Sequence, residues 1–225
     1  MSPGVRTALS GPQSKAMTHY LRARHDAILI GVGTAIADNP SLNCRLRGVN
    51  GRLDRQPRPV IIDPTARLRI TERTRILELV RQGRGRAPFI ITGNLQSIDA
   101  NLKRRMRILE EHGGKYISLP IGVQESAYKL DWAVILRNLQ TEGIRSVMIE
   151  GGGTVINSLL EPSSCTLIDS VIVTIAPTWL GQGGVVVSPE RRFDEDGNAI
   201  PVSRLKDVKW CPLGEDVVLC GRIKI

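Results

Sequence analysis

Residues 27–40 read Ala27-Ile28-Leu29-Ile30-Gly31-Val32-Gly33-Thr34-Ala35-Ile36-Ala37-Asp38-Asn39-Pro40. The apolar run at its start is short and continuous, which is the mark of a strand buried on both faces. Glycines end it, a short helix follows through Asp38, and Asn39-Pro40 stops that helix. Working outward, Gly11-Pro12 opens a helix pattern to about Arg24, with Ala16, Tyr20 and Leu21 on one face. Val60-Ile61-Ile62 repeats the buried-strand pattern and closes at Asp63-Pro64. Strands at 88–92, 115–119 and 145–150 alternate with helices at about 74–81, 97–111 and 131–141, the last capped by Asp131. A final helix over Thr154–Leu160 gives way to strands at 168–176, 202–211 and 216–225. Strands alternating with helices predict an α/β fold: a mostly parallel central sheet with helices on both faces and antiparallel C-terminal strands. The stretches 47–59 and 188–200 are the surface excursions. No linker divides the chain, so residues 1–225 are expected to form a single domain.

The chain has 225 residues, 31 Lys+Arg, 22 Asp+Glu and a net charge of +9. Its 41% hydrophobic content excludes a disordered chain. No apolar run has the length of a membrane span, and the N-terminus has no secretory apolar core. Residues 1–110 hold 20 basic and 8 acidic residues, net +12, and residues 111–225 are net −3. A basic half invites anionic partners. Tyr, Trp and Phe together make only 4% of the chain and are not interleaved with basic residues, which argues against single-strand nucleic-acid binding. Cys44, Cys165, Cys211 and Cys220 lack metal-ligand or disulfide-framework spacing, so a reducing, cytoplasmic setting is expected and no metal site is assigned. There is no GxSxG, and the histidines have no sequence-evident nucleophile, so no catalytic residue is assigned.

Two strand–glycine–helix junctions carry the chemistry. At Gly31–Asp38, free backbone N–H groups suit an anion, and Thr34 and Asp38, four apart, share a helix face. At Glu150-Gly151-Gly152-Gly153-Thr154, three glycines at the carboxyl end of a strand suggest a pyrophosphate cradle. Glu150, ending a buried strand, needs a partner or a ligand. Arg22 and Arg45 flank the first junction and suit phosphate. The plain alternative is a pair of tight, capped turns with arginines on the surface.

Gly11-Pro12-Gln13-Ser14-Lys15-Ala16-Met17-Thr18-His19-Tyr20-Leu21-Arg22, His25 through Pro40, Ile61-Ile62-Asp63-Pro64 and Glu150-Gly151-Gly152-Gly153-Thr154, in that order, closely resemble the riboflavin-biosynthesis reductase family. The resemblance implies a dihydrofolate-reductase-like fold, NADPH as cofactor and a homodimer. It implies reduction of 2,5-diamino-6-ribosylamino-4(3H)-pyrimidinone 5′-phosphate to its ribitylamino form, as in fungal members. By position it places Thr34, Asp38 and the turn Gly152, Gly153, Thr154 and Val155 at NADPH, and Arg22, Leu42, Arg45 and Glu150 at the substrate. A 2′-phosphate would want a nearby arginine, with Arg67 one candidate. The deaminase motifs HxE and PCxxC are absent. Family members carry a strand before the Gly4-Val5-Arg6 region that this sequence does not include, so a sheet gap or open strand edge is expected. Other readings are an inactive or regulatory shortened paralogue and a basic nucleic-acid-binding protein.

Overall fold

The continuous apolar runs become strands because alternate side chains must be buried on opposite faces. In a computed structural model that describes residues 9–95, 98–124, 127–129, 131–179, 181–200 and 203–224, strand β1 is Ala27–Gly31, β2 Arg58–Ile62, β3 Phe89–Thr92 and β4 Lys115–Ser118. Helices α1 (Pro12–Arg22), α2 (Val32–Asp38), α3 (Arg75–Arg81) and α4 (Ala100–Glu111) are interspersed among them. A short hairpin of β5 (Gly122–Gln124) and β6 (Ala127–Lys129) precedes α5 (Trp132–Thr141) and β7 (Val147–Gly151). Then come α6 (Gly153–Leu160), β8 (Val171–Ile175), a small hairpin of β9 (Arg192–Phe193) and β10 (Ala199–Ile200), β11 (Leu205–Leu213) and β12 (Asp216–Ile223). Asp131 caps α5 as expected, accepting from the Val134 N–H at 3.0 Å, and Asp99 caps α4 in the same way. The Gly4-Val5-Arg6 stretch and the outer ends of three expected elements, at Ser97, Val202 and Ile225, lie outside the described residues.

By its contacts the chain forms two compact units, Thr18–Gly152 and the combination of Met1–Met17 with Gly153–Ile225. The first holds a five-stranded parallel sheet in the order β4-β3-β2-β1-β7. Ile28 and Ile30 of β1, Ile61 of β2 and Ile90 of β3 enter one cluster with Ile76 and Leu77 of α3 and Leu109 of α4. The intervening Ala27, Leu29, Val60, Ile62 and Ile91 are equally buried but lie outside that cluster, as do Trp132, Ile135 and Leu139 of α5. Both faces of the sheet are therefore covered, and the strands need no polar alternation. Asp26 ties the entrances of β1 and β7 together. Its carboxylate accepts from the Arg145 and Ser146 N–H groups at 2.9 and 3.0 Å, and its own N–H donates to Ser146 Oγ at 2.9 Å.

The second unit is built on the antiparallel sheet β11-β12-β8. Buried Asp216, at the start of β12, accepts from Gly11 N–H at 2.8 Å and Ser14 Oγ–H at 2.5 Å, fastening the first turn of α1 to this sheet. Among the described residues, β7 and β8 each pair on one side only.

Candidate functional site

The site-forming end of the parallel sheet is set by an irregularity in β7. Leu29 of β1 pairs with Ile149, but Ile30 pairs with Gly151, so β7 holds one residue more than its partner. That residue is Glu150. A bulge of this kind leaves its extra residue outside the ladder and turns its side chain away from the regular alternation. The carboxylate of Glu150 meets the guanidinium of Arg22, which lies at the end of α1. Arg22 Nε donates to Oε1 at 2.7 Å and Nη2 to Oε2 at 2.5 Å. The fork is bidentate, and its side chains are 13% and 15% exposed. Arg22 Nη1 also donates to the Asn43 carbonyl at 3.2 Å.

Residues 42–45 form a strap pinned at each position. Leu42 adopts φ +49° and sends its side chain into the core, where it is 2% exposed. A substrate contact from Leu42 would therefore come from its backbone. Asn43 Nδ2 donates to the Arg84 carbonyl. Gln56 clamps Cys44 from both sides, with Oε1 accepting from the Cys44 N–H and Nε2 donating to its carbonyl. The strap delivers Arg45 to an exposed position beside His19, whose Nδ1 lies 3.4 Å from the Arg45 N–H. His19, one helical turn before Arg22, is partly buried. Burial, then the charges of Arg45 and Arg22, push its pKa down to about 4, against an opposing pull from Glu150. At neutral pH it is an uncharged donor and acceptor. His19, Asn43 and Gln56 are the residues that sequence reasoning did not assign. The three-residue spacing from His19 to Arg22 was the one available signal.

The two glycine junctions meet. A Cβ on Gly152 would lie 3.1 Å from Thr34 Oγ1, and Gly152 has φ +86°. Thr34 is half-buried and Asp38 exposed on the same helix. Nothing lies within 4 Å of where a Cβ on Gly33 or Gly151 would stand, so both backbones border open space. Beyond the turn, Thr154 is exposed, while Val155 is 3% exposed and can offer a ligand only its backbone. A Cβ on Gly153 would collide with Val185 Cγ1, and Asn157 Nδ2 donates to the Val186 carbonyl at 3.0 Å. The 181–187 segment thus packs on the first turns of α6. Room at Gly33 and Gly151, with the Thr34 hydroxyl between the two turns, fits the phosphate-bearing part of a dinucleotide.

Comparison with known proteins agrees with this architecture. Residues 1–219 match the family described as RibD C-terminal domain. The 2,5-diamino-6-ribosylamino-4(3H)-pyrimidinone 5′-phosphate reductase of Debaryomyces hansenii is 39% identical over 225 residues, covering 98% of this chain and 82% of that one. The protein of the same name from Saccharomyces cerevisiae is 38% identical over 222 residues, with 98% and 80% covered. The solved Saccharomyces cerevisiae riboflavin biosynthesis reductase Rib7 superposes with a TM-score of 0.74 at 36% identity, over 95% of this chain and 82% of that chain. Acinetobacter baumannii RibD shares the fold, with a TM-score of 0.70 at 23% identity, over 100% of this chain and 54% of that chain. A parallel sheet with helices between its strands and antiparallel strands after it, matched across these structures, places the chain in the class of dihydrofolate-reductase-like reductases. Within that class, it belongs to the RibD C-terminal domain family.

Proposed function

We propose that the chain is the reductase acting on 2,5-diamino-6-ribosylamino-4(3H)-pyrimidinone 5′-phosphate in riboflavin biosynthesis, with NADPH as the reductant. The observation that carries this reading is the meeting of Thr34 with Gly152, which brings both glycine turns to the carboxyl end of one parallel sheet, where open α/β folds bind ligands. The names of relatives with 38–39% identity over 98% of the chain supply the reaction.

When bound, a reduced nicotinamide supplies hydride to the first sugar carbon of the ring-opened imine. This chain's residues bind and orient. The open backbones at Gly33 and Gly151, the Thr34 hydroxyl, Asp38, Gly152 and the first turn of α6 from Gly153 through Val155 would hold the dinucleotide. Arg22 and Arg45 carry the positive charge that suits a phosphorylated substrate, and the backbone of Leu42 borders them. Glu150 holds the Arg22 guanidinium in its fork, and its negative charge would favour the protonated form of the imine nitrogen, the form that accepts hydride most readily. That nitrogen takes its proton from solvent or from a neighbouring donor. Both units working as a single reductase domain, in a cytoplasmic homodimer, belong to the same proposal. Incubating the chain with NADPH and the pyrimidine phosphate tests it. Loss of reduced-nicotinamide absorbance with formation of the ribitylamino product is expected. No turnover, with no dinucleotide binding, would refute it.

A further inference from the structure

The strap at residues 42–45 is docked on the last turn of α1, and His19 is where it lands. Three consecutive strap residues each bond to that turn. The Asn43 carbonyl accepts from Arg22 Nη1 at 3.2 Å. The Cys44 thiol donates to the His19 carbonyl at 3.1 Å, beside the Ala23 N–H that the same oxygen accepts at the helix end. The Arg45 N–H donates to His19 Nδ1 at 3.4 Å. His19 thus meets the strap twice, once through its backbone and once through its ring. Asn43 and Cys44 are buried and are tied also to Arg84 and Gln56. Arg45 is exposed, and the chain leaves it for a surface turn that begins at Leu46. The ring contact lies where the strap passes from the core to solvent.

An N–H donor at Nδ1 needs the lone pair there, so the ring's own proton sits on Nε2 and the imidazole is uncharged. A histidine in the last turn of a helix is ordinarily favoured as a cation. Here the surroundings reverse that preference. Burial acts first, then the guanidinium groups of Arg45 from the strap and Arg22 from α1, and together they outweigh the opposing pull of Glu150 from β7. A protonated ring would turn an N–H against the Arg45 N–H, and the bond would be lost. The Arg22 fork is committed to the Glu150 carboxylate, which leaves Arg45 as the exposed guanidinium of the two. A guanidinium grips phosphate through a planar fork of fixed geometry, so the backbone that carries it has to be held in place. The 3.4 Å bond is long, as hydrogen bonds in a binding site often are before the ligand enters.

We propose that His19 is a positioning residue for the substrate: its uncharged ring holds the backbone of Arg45 so that the guanidinium meets the substrate's phosphate in the correct orientation. The inference rests on the reductase reading above. His19 acts through Arg45 and needs no contact of its own with substrate or cofactor. His19→Phe keeps a ring without the acceptor, and His19→Asn places an amide oxygen near the position of Nδ1. Both are compared with wild type, Arg45→Gln and the double variant His19→Phe/Arg45→Gln, and circular dichroism verifies that each is folded. Kd for the pyrimidine phosphate is measured by calorimetry, and KM and kcat by turnover with saturating NADPH. His19→Phe should raise Kd and KM about fivefold, the scale of one neutral hydrogen bond, with kcat within about twofold of wild type. His19→Asn should bind within about twofold of wild type. In the Arg45→Gln background, His19→Phe should change Kd by less than about twofold, because there is no guanidinium left to position. From neutral pH down toward about 4, wild type should lose affinity relative to His19→Asn, since protonation removes the histidine's acceptor and spares the amide. The substrate's own phosphate titrates alike in both. Additive losses in the double variant, a fall in kcat with Kd unchanged, or no change in His19→Phe overturns the proposal and leaves the reductase reading intact. Weak binding by His19→Asn, or parallel pH curves, does the same. A wild type that neither binds nor turns over the pyrimidine phosphate refutes both.

Discussion

Glu150 and Arg22 satisfy each other, so replacing either alone leaves a partly buried charge exposed to its own desolvation cost. Glu150→Gln should destabilise the chain by about 1–3 kcal/mol in urea unfolding. The double variant Arg22→Leu/Glu150→Leu should regain most of that stability while losing turnover. Equal stability of the single and double variants would mean that the fork contributes nothing to folding. His19 makes a pH prediction. Its pKa of about 4 in the folded chain lies below its unfolded value near 6.5, so between these limits the unfolded chain binds the extra proton. Its contribution is intact above pH 6.5 and is lost as pH falls toward 4. Urea midpoints measured across that range should fall more steeply for the wild type than for His19→Gln, and parallel curves would contradict this.

At the scale of elements, the turn after β2 shows how a buried acid is used. Asp63 is fully buried, and burial pushes its carboxyl pKa up, against the pull of the Leu68 and Arg67 N–H groups. Asp63→Ala leaves those two donors without an acceptor and should cost about 2–4 kcal/mol, read from the midpoint of thermal or urea unfolding. Much at this scale was legible in the sequence. The runs that became β1, β2 and β3 could be read because a strand buried on both faces has no other way to be written. The glycine junctions could be read because only glycine tolerates the φ found at Gly152. The bulge at Glu150 could not, since an extra residue disturbs the pairing between strands and leaves the composition of either strand unchanged. Gln56 could not either, because its clamp on Cys44 closes a loop whose shape is a matter of tertiary packing.

For the molecule as a whole, the net charge of +9 resolves into places with different work to do. The basic half contains the strap that presents Arg45, while Glu150 comes from the acidic half. No helix among the described residues is long and apolar enough to cross a membrane. The antiparallel sheet carries a hazard of its own. β8 pairs only with β12 among the described residues, and Ile172, Val173 and Ile175 are 41–47% exposed. An apolar strand with an unpaired edge is a template for self-association. Val173→Lys should lower light scattering at high protein concentration without shifting the unfolding midpoint by more than about 0.5 kcal/mol equivalent. Unchanged scattering would show that this edge is already protected. The bulge in β7 has a wider consequence. Because Ile149 and Gly151 keep their places opposite Leu29 and Ile30, the sheet makes no demand on the residue between them. Position 150 therefore answers to Arg22 rather than to the strand ladder, and the two residues can be exchanged together, during evolution or by design, while the strand pairing stays the same.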